Sequence, residues 1–181
     1  MYKKQDYKFL IIAVMLFLNL KYVFTFFDND DMLFILKPVN ILFSLFTGHI
    51  AEYSSETGYF YDKLNIIIDK SCSGYNFMLL TFVLVYTGIL KYISSDRTKY
   101  LSLPVVMIIA YIYTIIVDIS RIIISYLIQR KMAFHNEWMH EVTGIFVYLF
   151  ALISIYLLVQ YLMKKPDTIK VFWVQNHLPK Y

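Results

Sequence analysis

The stretch SCSGYNFMLLTFVLVYTGILKYI, residues 71–93, decides the fold that the sequence predicts. A bilayer hydrocarbon core of about 30 Å needs roughly 20 helical residues, and the stretch is long and apolar enough from Tyr75 onward. We therefore predict a transmembrane helix from Tyr75 to Ile93. Three further segments have the same character, and they cover residues 8–27, 100–118 and 142–163. The predicted fold is an all-α, polytopic bundle of transmembrane helices in one membrane domain, residues 1–181.

The composition also indicates a protein whose main partner is the lipid bilayer. Hydrophobic residues make up 59% of the chain, whereas soluble domains usually contain ~45–50% apolar residues. Tyrosine and phenylalanine are abundant, with 17 and 15 copies, and aromatic residues collect at membrane interfaces. The net charge of +4 comes from basic residues that flank apolar segments, so it does not indicate nucleic-acid binding.

Two apolar stretches do not have the form of a simple span. Residues 32–47 contain Lys37 and Pro38 at their centre, so the run is interrupted and predicts an interfacial or re-entrant helix. Residues 122–128 are too short to span alone, and they either extend the third helix or lie near the surface. We interpret residues 122–133 as a second interfacial or re-entrant segment.

Basic residues decide the predicted orientation. Four spans place both termini on one side, where Lys and Arg outnumber the acids, whereas acids are in excess on the other side. We therefore predict that both termini and the tail 164–181 are cytoplasmic, and that residues 28–74 and about 119–141 are extracytoplasmic. In the short extracytoplasmic loop, His49 and several tyrosines are expected to frame a substrate groove or the interface. The loop ends in KLNIIID, residues 63–69, which predicts a short strand.

Three side chains suited to acyl transfer fall on the predicted extracytoplasmic side. Cys72 lies at the mouth of the second span, Arg121 at the end of the third and His140 at the start of the fourth. Two spans separate Cys72 from Arg121, and the short segment between Arg121 and His140 cannot easily cross the membrane and return. The topology therefore brings the three residues to one face of the membrane.

The chemistry of these three residues is coherent. A thiolate attacks an amide carbonyl far better than a thiol, and a helix N-terminus, where Cys72 lies, favours negative charge. A nearby His140 can take the thiol proton and later give it to the leaving amine. Arg121 keeps its charge in a poor dielectric and can stabilise the oxyanion of the tetrahedral intermediate. The sequence thus predicts a catalytic group of Cys72, Arg121 and His140.

Each residue also has a non-catalytic interpretation. A lone cysteine in a membrane protein is most often a small, inert hydrophobic residue, and Cys72 is the only cysteine of the chain. His140 can cap or anchor a helix at the interface. Arg121 can pair with Asp118, three residues earlier on the same helical face, although a charge within an apolar run is functional by default. The joint placement of the three, and no single residue, favours catalysis.

Neighbouring residues supply weaker candidates. Ser71 and Ser73 can serve as nucleophiles or as hydrogen-bond donors, and we favour the donor role. Gly74 is expected to let a substrate backbone approach the cysteine closely. The stretch HNEWMHE, residues 135–141, lacks the spacing of the two-histidine zinc motif, so we predict no metal site and no cofactor.

At these residues the sequence resembles the exosortase and archaeosortase family, over roughly residues 60–163. The Cys-Ser-Gly motif that begins at Cys72 resembles the nucleophile motif of that family, and Arg121 and His140 complete the ordered pattern. The chain has few helices before its cysteine and is similar to the compact exosortase K type. Family members often have asparagine three residues before the arginine, where this sequence has Asp118.

The resemblance implies a membrane-embedded cysteine protease or transpeptidase of the bacterial cytoplasmic membrane, with its site on the extracytoplasmic side. Such enzymes process membrane-anchored exported proteins whose C-terminal sorting signal comprises a short motif, an apolar helix and a basic cluster. Cys72 would then form a thioester with the substrate. The alternative is a non-enzymatic small membrane subunit of a transport or assembly complex, in which Arg121 and Asp118 form a structural or transport pair.

Overall fold

The computed structural model describes residues 6–131 and 137–164, including the side chains of 6–128 and 142–164. The helices in these parts are α1 Asp6–Phe24, α2 Leu33–Thr47, α3 Tyr75–Leu90, α4 Asp96–Lys131 and α5 Glu137–Lys164. Between α2 and α3 lie three short strands, β1 Glu52–Ser54, β2 Gly58–Tyr61 and β3 Ile66–Ile68. The predicted all-α membrane bundle is confirmed, and a small sheet is added to it.

In the part of the chain that the structure describes, four segments are long and apolar enough to cross a membrane, and they are Asp6–Phe24, Lys70–Leu90, Asp96–Ile128 and Val142–Lys164. The second of them, which contains α3, is the central one, because 67% of its apolar window is buried, against 11% for the first and 22% for each of the other two. α3 packs against α1, α4 and α5. The stretch that predicts the fold therefore forms the centre of the bundle.

Polar contacts show which helix ends lie together. Lys99, near the start of α4, forms an ion pair of 2.8 Å with Asp6 at the start of α1. At the same end Lys91, just after α3, donates a hydrogen bond of 3.2 Å to Gln160 near the end of α5. We call this end of the bundle the Lys99 end. The opposite end, which carries the chain between α1 and α3, the end of α4 and the start of α5, is called the Cys72 end.

α2 is a short helix that contains a proline. Its 15 residues extend about 22 Å, which is less than the roughly 30 Å of a bilayer core. Pro38 has no N–H, so the carbonyl of Phe34 one turn earlier loses its helical partner. The hydroxyl of Tyr111 in α4 donates a hydrogen bond of 2.6 Å to this carbonyl. The run that looks interrupted in the sequence is therefore a continuous helix, because α4 supplies the missing donor.

α4 is one unbroken helix of 36 residues, which corresponds to about 54 Å. Residues 122–131 continue it, so the prediction of a separate interfacial or re-entrant segment over 122–133 is wrong in this part. The last two residues of that predicted segment lie outside the described residues. The helix continues because no Gly or Pro interrupts it there and because Ile122 and Ser125, three positions apart on one face, are both buried.

The chain at the Cys72 end forms an antiparallel sheet in the order β1-β2-β3. Tyr61 of β2 fastens this sheet to α2, since its buried hydroxyl donates a hydrogen bond of 2.6 Å to Asn40 Oδ1 and lies 2.7 Å from the Ser44 hydroxyl. The strand predicted within residues 63–69 is present as β3. β1 and β2 were not predicted from the sequence. Each has only three or four residues, which is too few to show the alternation of apolar and polar residues that indicates a strand.

Candidate catalytic site at the Cys72 end

Cys72 ends a short 3₁₀ turn, Lys70–Cys72, that leads into α3. Asp69 caps this turn, because its Oδ1 accepts hydrogen bonds from the backbone N–H of Ser71 at 3.1 Å and of Cys72 at 3.3 Å. The Ser71 hydroxyl donates to the same oxygen at 2.6 Å and lies 3.9 Å from Cys72 Sγ. Ser71 is thus a hydrogen-bond donor in this turn, and Cys72 is a half-buried free cysteine.

Two residues tie the turn to the chain between α1 and α2. The backbone N–H of Lys70 donates a hydrogen bond of 2.8 Å to Asn29 Oδ1, and the Lys70 ammonium donates to the carbonyl of Phe27. Asn29 in turn donates a hydrogen bond of 2.9 Å to the carbonyl of Ser55, between β1 and β2. The loop before Cys72 is therefore held by both the α1–α2 connection and the sheet.

Arg121 of α4 approaches Cys72 directly. Its Nη2 donates a hydrogen bond of 2.9 Å to the backbone carbonyl of Cys72, which lies 49 residues away in the sequence. This bond places the guanidinium at the residue that carries the thiol. Arg121 is only 7% exposed, and a buried charge is costly unless other groups compensate it. Two of the three predicted site residues are thus brought into contact.

Gly74 makes room for a side chain of α4. Its φ is +60°, in the left-handed region, and a Cβ built on it would lie 2.7 Å from the carboxyl carbon of Asp118. The side of Gly74 on which a side chain would stand is filled by this carboxylate, whereas Gly74 also lines the cavity beside the cysteine turn, so an approach of a substrate backbone stays a prediction. Glycine is required here because any larger residue would both strain the backbone and displace Asp118.

Asp118 and Arg121 do not form the direct ion pair that is expected if Arg121 has only a structural role. Among the described residues, ion pairs are found only at Lys99. Asp118 Oδ1 instead accepts a hydrogen bond from the hydroxyl of Tyr148 in α5, and the Tyr148 ring lies 5.2 Å from the Arg121 guanidinium carbon. A Cβ on Gly144 would lie 3.4 Å from Arg121 Cδ. α4 and α5 therefore enclose the guanidinium between them.

Two atoms of this cluster have no hydrogen-bond partner among the described residues. They are Asp118 Oδ2 and Arg121 Nε, and both are buried. Unpaired buried polar atoms are uncommon in native proteins and often mark functional sites. The cluster can therefore still accept and donate a hydrogen bond.

His140, the third predicted site residue, lies in the first turn of α5, and its side chain is outside the described residues. Its backbone position is one helical turn before Gly144, the residue that contacts Arg121. The helix that carries His140 is thus the helix that encloses the arginine. The stretch 135–141, which was considered above for a metal site, also has its side chains outside the described residues. They include His135, Glu137 and Glu141.

A cavity of about 510 Å³ opens beside the cysteine turn, between the ends of α1 and α3 and the facing part of α5. Its wall includes Ser71, Ser73 and Gly74, on both sides of Cys72, together with Tyr148. Small-molecule and cofactor pockets have volumes of about 300–1,000 Å³. The cavity is therefore large enough for a few residues of a peptide beside the turn that carries Cys72, although neither Cys72 nor Arg121 is part of its wall.

His49 does not belong to this cavity. It lines a separate cavity of about 360 Å³ with Glu52, Tyr61 and Lys63, between the end of α2 and the sheet. The turn that carries Cys72 contributes no residue to its wall. His49 and Tyr61 of the tyrosine-rich loop therefore line a cavity that is separate from the one beside Cys72.

No protein-family model, no curated protein and no solved structure matches the chain significantly. The likeness to the exosortase and archaeosortase family therefore depends on the order of Cys72, Arg121 and His140 in the sequence. The contact between Cys72 and Arg121 is an independent observation, because it comes from the fold.

Tyr148 was not predicted from the sequence as a member of this cluster. Its position provides a signal, because His140, Gly144 and Tyr148 are spaced four residues apart along α5, and such positions follow one side of a helix. A tyrosine in a membrane helix is usually attributed to the interface. Only the three-dimensional contact with Asp118 and Arg121 shows that it belongs to the site.

Proposed function

We propose that the chain is a membrane-embedded cysteine protease or transpeptidase in which Cys72 is the nucleophile. The hydrogen bond of 2.9 Å from Arg121 to Cys72 is the observation that carries this proposal. It joins a guanidinium to a residue with a free thiol, and the residues on both sides of this cysteine line a cavity. A cysteine that only filled space in the bundle would not need a buried arginine beside it.

The reaction follows from the chemistry of the three residues. The Cys72 sulfur attacks the scissile carbonyl while its proton passes to His140, and the resulting oxyanion is stabilised by Arg121. Collapse of the tetrahedral intermediate breaks the C–N bond, and His140 returns the proton to the leaving amine. The acyl group remains on Cys72 as a thioester. Water or an amine acceptor then releases it, so hydrolysis and transpeptidation share the first half of the reaction.

The substrate class comes from the resemblance. We propose that the enzyme lies in the bacterial cytoplasmic membrane, with the Cys72 end on the extracytoplasmic side. There it cleaves the C-terminal sorting signal of exported, membrane-anchored proteins. The position of the cavity supports this proposal, since it lies at one end of the bundle, where an apolar helix would emerge from the membrane.

The decisive experiment is to trap the thioester. An exported protein that ends in a short motif, an apolar helix and a basic cluster is co-expressed with the chain, and adducts on Cys72 are sought by mass spectrometry after acid quenching. We expect an adduct that hydroxylamine releases and that is absent from Cys72→Ala. Ser102→Ala serves as a control, because the Ser102 hydroxyl donates a hydrogen bond of 2.8 Å to the carbonyl of Lys99 at the opposite end of the bundle. Full processing by Cys72→Ala would refute the proposal.

One observation favours the alternative of a non-enzymatic membrane subunit. Arg121 donates to a backbone carbonyl, and a purely structural arginine makes such bonds too. In that case Cys72→Ala is silent, whereas Arg121→Met lowers the amount of inserted protein. Measuring processing and insertion for both variants separates the two functions.

A further inference from the structure

The cluster around Arg121 contains more groups than the contact with Cys72 requires. Tyr148 contacts two members of the cluster at once, because its hydroxyl donates to Asp118 and its ring lies against the guanidinium. The ring is also stacked on Phe77 of α3, with centroids 4.7 Å apart and planes inclined by 19°. Tyr148 is therefore fixed from three sides at the wall of the cavity.

We propose, building on the function proposed above, that Asp118 and Tyr148 are positioning residues that set the place of the Arg121 guanidinium relative to the Cys72 thiol. Asp118 is three residues before Arg121, on the same face of α4, and it is fully buried. A buried carboxylate and a guanidinium attract each other strongly and tend to form a bidentate pair. In this structure they do not pair directly, because the carboxylate is engaged by Tyr148 and the guanidinium by Cys72.

The hydroxyl of Tyr148 is the group that keeps the two apart. Without it, Asp118 Oδ1 would join Oδ2 as an unpaired buried oxygen, and Arg121, which has an unpaired N–H of its own three residues later, is a donor that could satisfy either of them. The guanidinium would then turn toward Asp118 and away from Cys72. Because a nearby cation stabilises a thiolate, the thiol would become less reactive.

Asp118 acts in the opposite direction through its charge. Its carboxylate lies against Gly74, two residues after Cys72, so it weakens the positive potential that Arg121 creates at the sulfur. Asparagine at this position would still accept the hydrogen bond from Tyr148 but would carry no charge. The Tyr148 hydroxyl thus increases the reactivity of the Cys72 thiol, whereas the charge of Asp118 decreases it.

Cys72 makes the test specific, since it is the only cysteine of the chain. The whole protein in detergent micelles is alkylated with iodoacetamide, a small neutral reagent, at one fixed pH, and the rate of modification is followed by mass spectrometry. The variants are Tyr148→Phe, which keeps the ring and removes the hydroxyl, and Asp118→Asn. The matched control is Tyr113→Phe, because the Tyr113 hydroxyl also links α4 to α5, at 2.9 Å to the carbonyl of Ala151.

We expect Tyr148→Phe to slow alkylation and Asp118→Asn to accelerate it, each by roughly threefold to tenfold, as for a change of one charge interaction in a partly buried site. Tyr113→Phe should leave the rate unchanged. A general loosening of the bundle would expose the thiol and accelerate alkylation in all three variants.

Two results would overturn the inference. One is a Tyr148→Phe rate equal to or above that of Tyr113→Phe, and the other is an Asp118→Asn rate at or below that of the unchanged protein. If Tyr148→Phe does not fold, the nearly isosteric Asp118→Asn is compared with Tyr113→Phe: a rate above that of this control supports the inference, and any other rate overturns it. The failure of the proposed function is a separate result, because it appears as processing by Cys72→Ala, whereas the alkylation rate needs no substrate.

Discussion

α4 buries two cations, Lys99 near its start and Arg121 in its second half, and the two sites are built differently. At the Lys99 end the ammonium is 2% exposed and forms ion pairs with Asp6 at 2.8 Å and with Asp96 at 3.4 Å. At the Cys72 end the guanidinium of Arg121 binds a backbone carbonyl and is not ion-paired within the described residues. There both Arg121 Nε and Asp118 Oδ2 remain without partners in the described part of the chain.

The difference separates a structural charge from a charge that is available for chemistry. At Lys99 the opposite charges are in direct contact, so the ion pair can hold α1 against α4 without any further group. Arg121 and its neighbours are held near one another but are not paired, so under the proposed function the cluster is free to bind developing charge on a substrate. A preorganised site of this kind is costly in a membrane and is retained where it has a function.

The largest effect expected from this difference is on folding at the Lys99 end. Lys99→Met removes the ammonium that lies 2.8 Å from the buried Asp6 carboxylate, and we expect the midpoint of thermal unfolding in detergent to fall by roughly 10 °C. Arg121→Met should lower the midpoint by less, because Asp118 keeps its bond to Tyr148. The order reverses for the rate of Cys72 alkylation, which should fall about threefold or more in Arg121→Met and stay unchanged in Lys99→Met.

A double replacement provides the control for this prediction. Asp6→Leu with Lys99→Met removes both charges, and replacing a buried pair by apolar residues is often neutral. We therefore expect the double variant to unfold near the temperature of the unchanged protein. If Lys99→Met and Arg121→Met shifted both the midpoint and the alkylation rate by similar amounts, the distinction between the two ends of α4 would not hold.

The fold could be predicted from the sequence wherever the pattern is long. Stretches of about 20 apolar residues have few other solutions, and all four predicted spans overlap the segments in the structure. The short elements were not predictable in the same way. The continuation of α4 through residues 122–131 depends on packing, and β1 and β2 are too short to show a period.

The site could be predicted only in part. The topology is sufficient to place Cys72 and Arg121 at the same end, and the structure adds their hydrogen bond. The sequence could not show that Gly74 accommodates Asp118, because a glycine in a motif does not indicate which atom approaches it. Nor could it show that Tyr148 belongs to the cluster, since the contact joins two helices whose relative rotation is set by packing.

A smaller effect is expected where α4 supplies a donor to α2. Tyr111→Phe leaves the carbonyl of Phe34 without a partner, because Pro38 has no N–H to offer. We expect the free energy of unfolding to fall by about 1–2 kcal/mol, as for a lost hydrogen bond at an otherwise unsatisfied carbonyl. The measurement is denaturant-induced unfolding in micelles. Cys72 alkylation should not change, because this contact is not part of the site.

Pro38→Ala tests the cause of that effect. Alanine restores the backbone N–H, so the carbonyl of Phe34 regains its helical donor and the Tyr111 hydroxyl becomes dispensable. In the Pro38→Ala background, Tyr111→Phe should therefore cost much less than in the natural sequence. Equal costs in both backgrounds would show that Tyr111 stabilises the bundle in some other way.

The smallest effect is expected outside the membrane, at the hydrogen bond from Tyr53 in β1 to Asp30. This bond, with a second one from Ser55 at 3.1 Å, lowers the pKa of Asp30. Partial burial and the bond to Asp30 raise the pKa of Tyr53 to about 12. Both side chains are largely exposed, so the pair is screened by solvent and should influence only the local stability of the sheet.

The sign of the pH dependence follows from the directions of the two shifts. An unfolded chain has a tyrosine pKa of about 10, so the contribution of Tyr53 to stability is complete below about pH 10 and is lost as the pH rises toward about 12. The contribution of Asp30 is present above the unfolded value of about 4 and is lost as the pH falls through its lower folded value. The phenolate absorbance of the unchanged protein minus that of Tyr53→Phe should therefore show one tyrosine that titrates near pH 12. Asp30→Asn should shift the titration of Tyr53 toward pH 10. If Tyr53 already titrates near pH 10 in the unchanged protein, β1 is not held to Asp30 in solution.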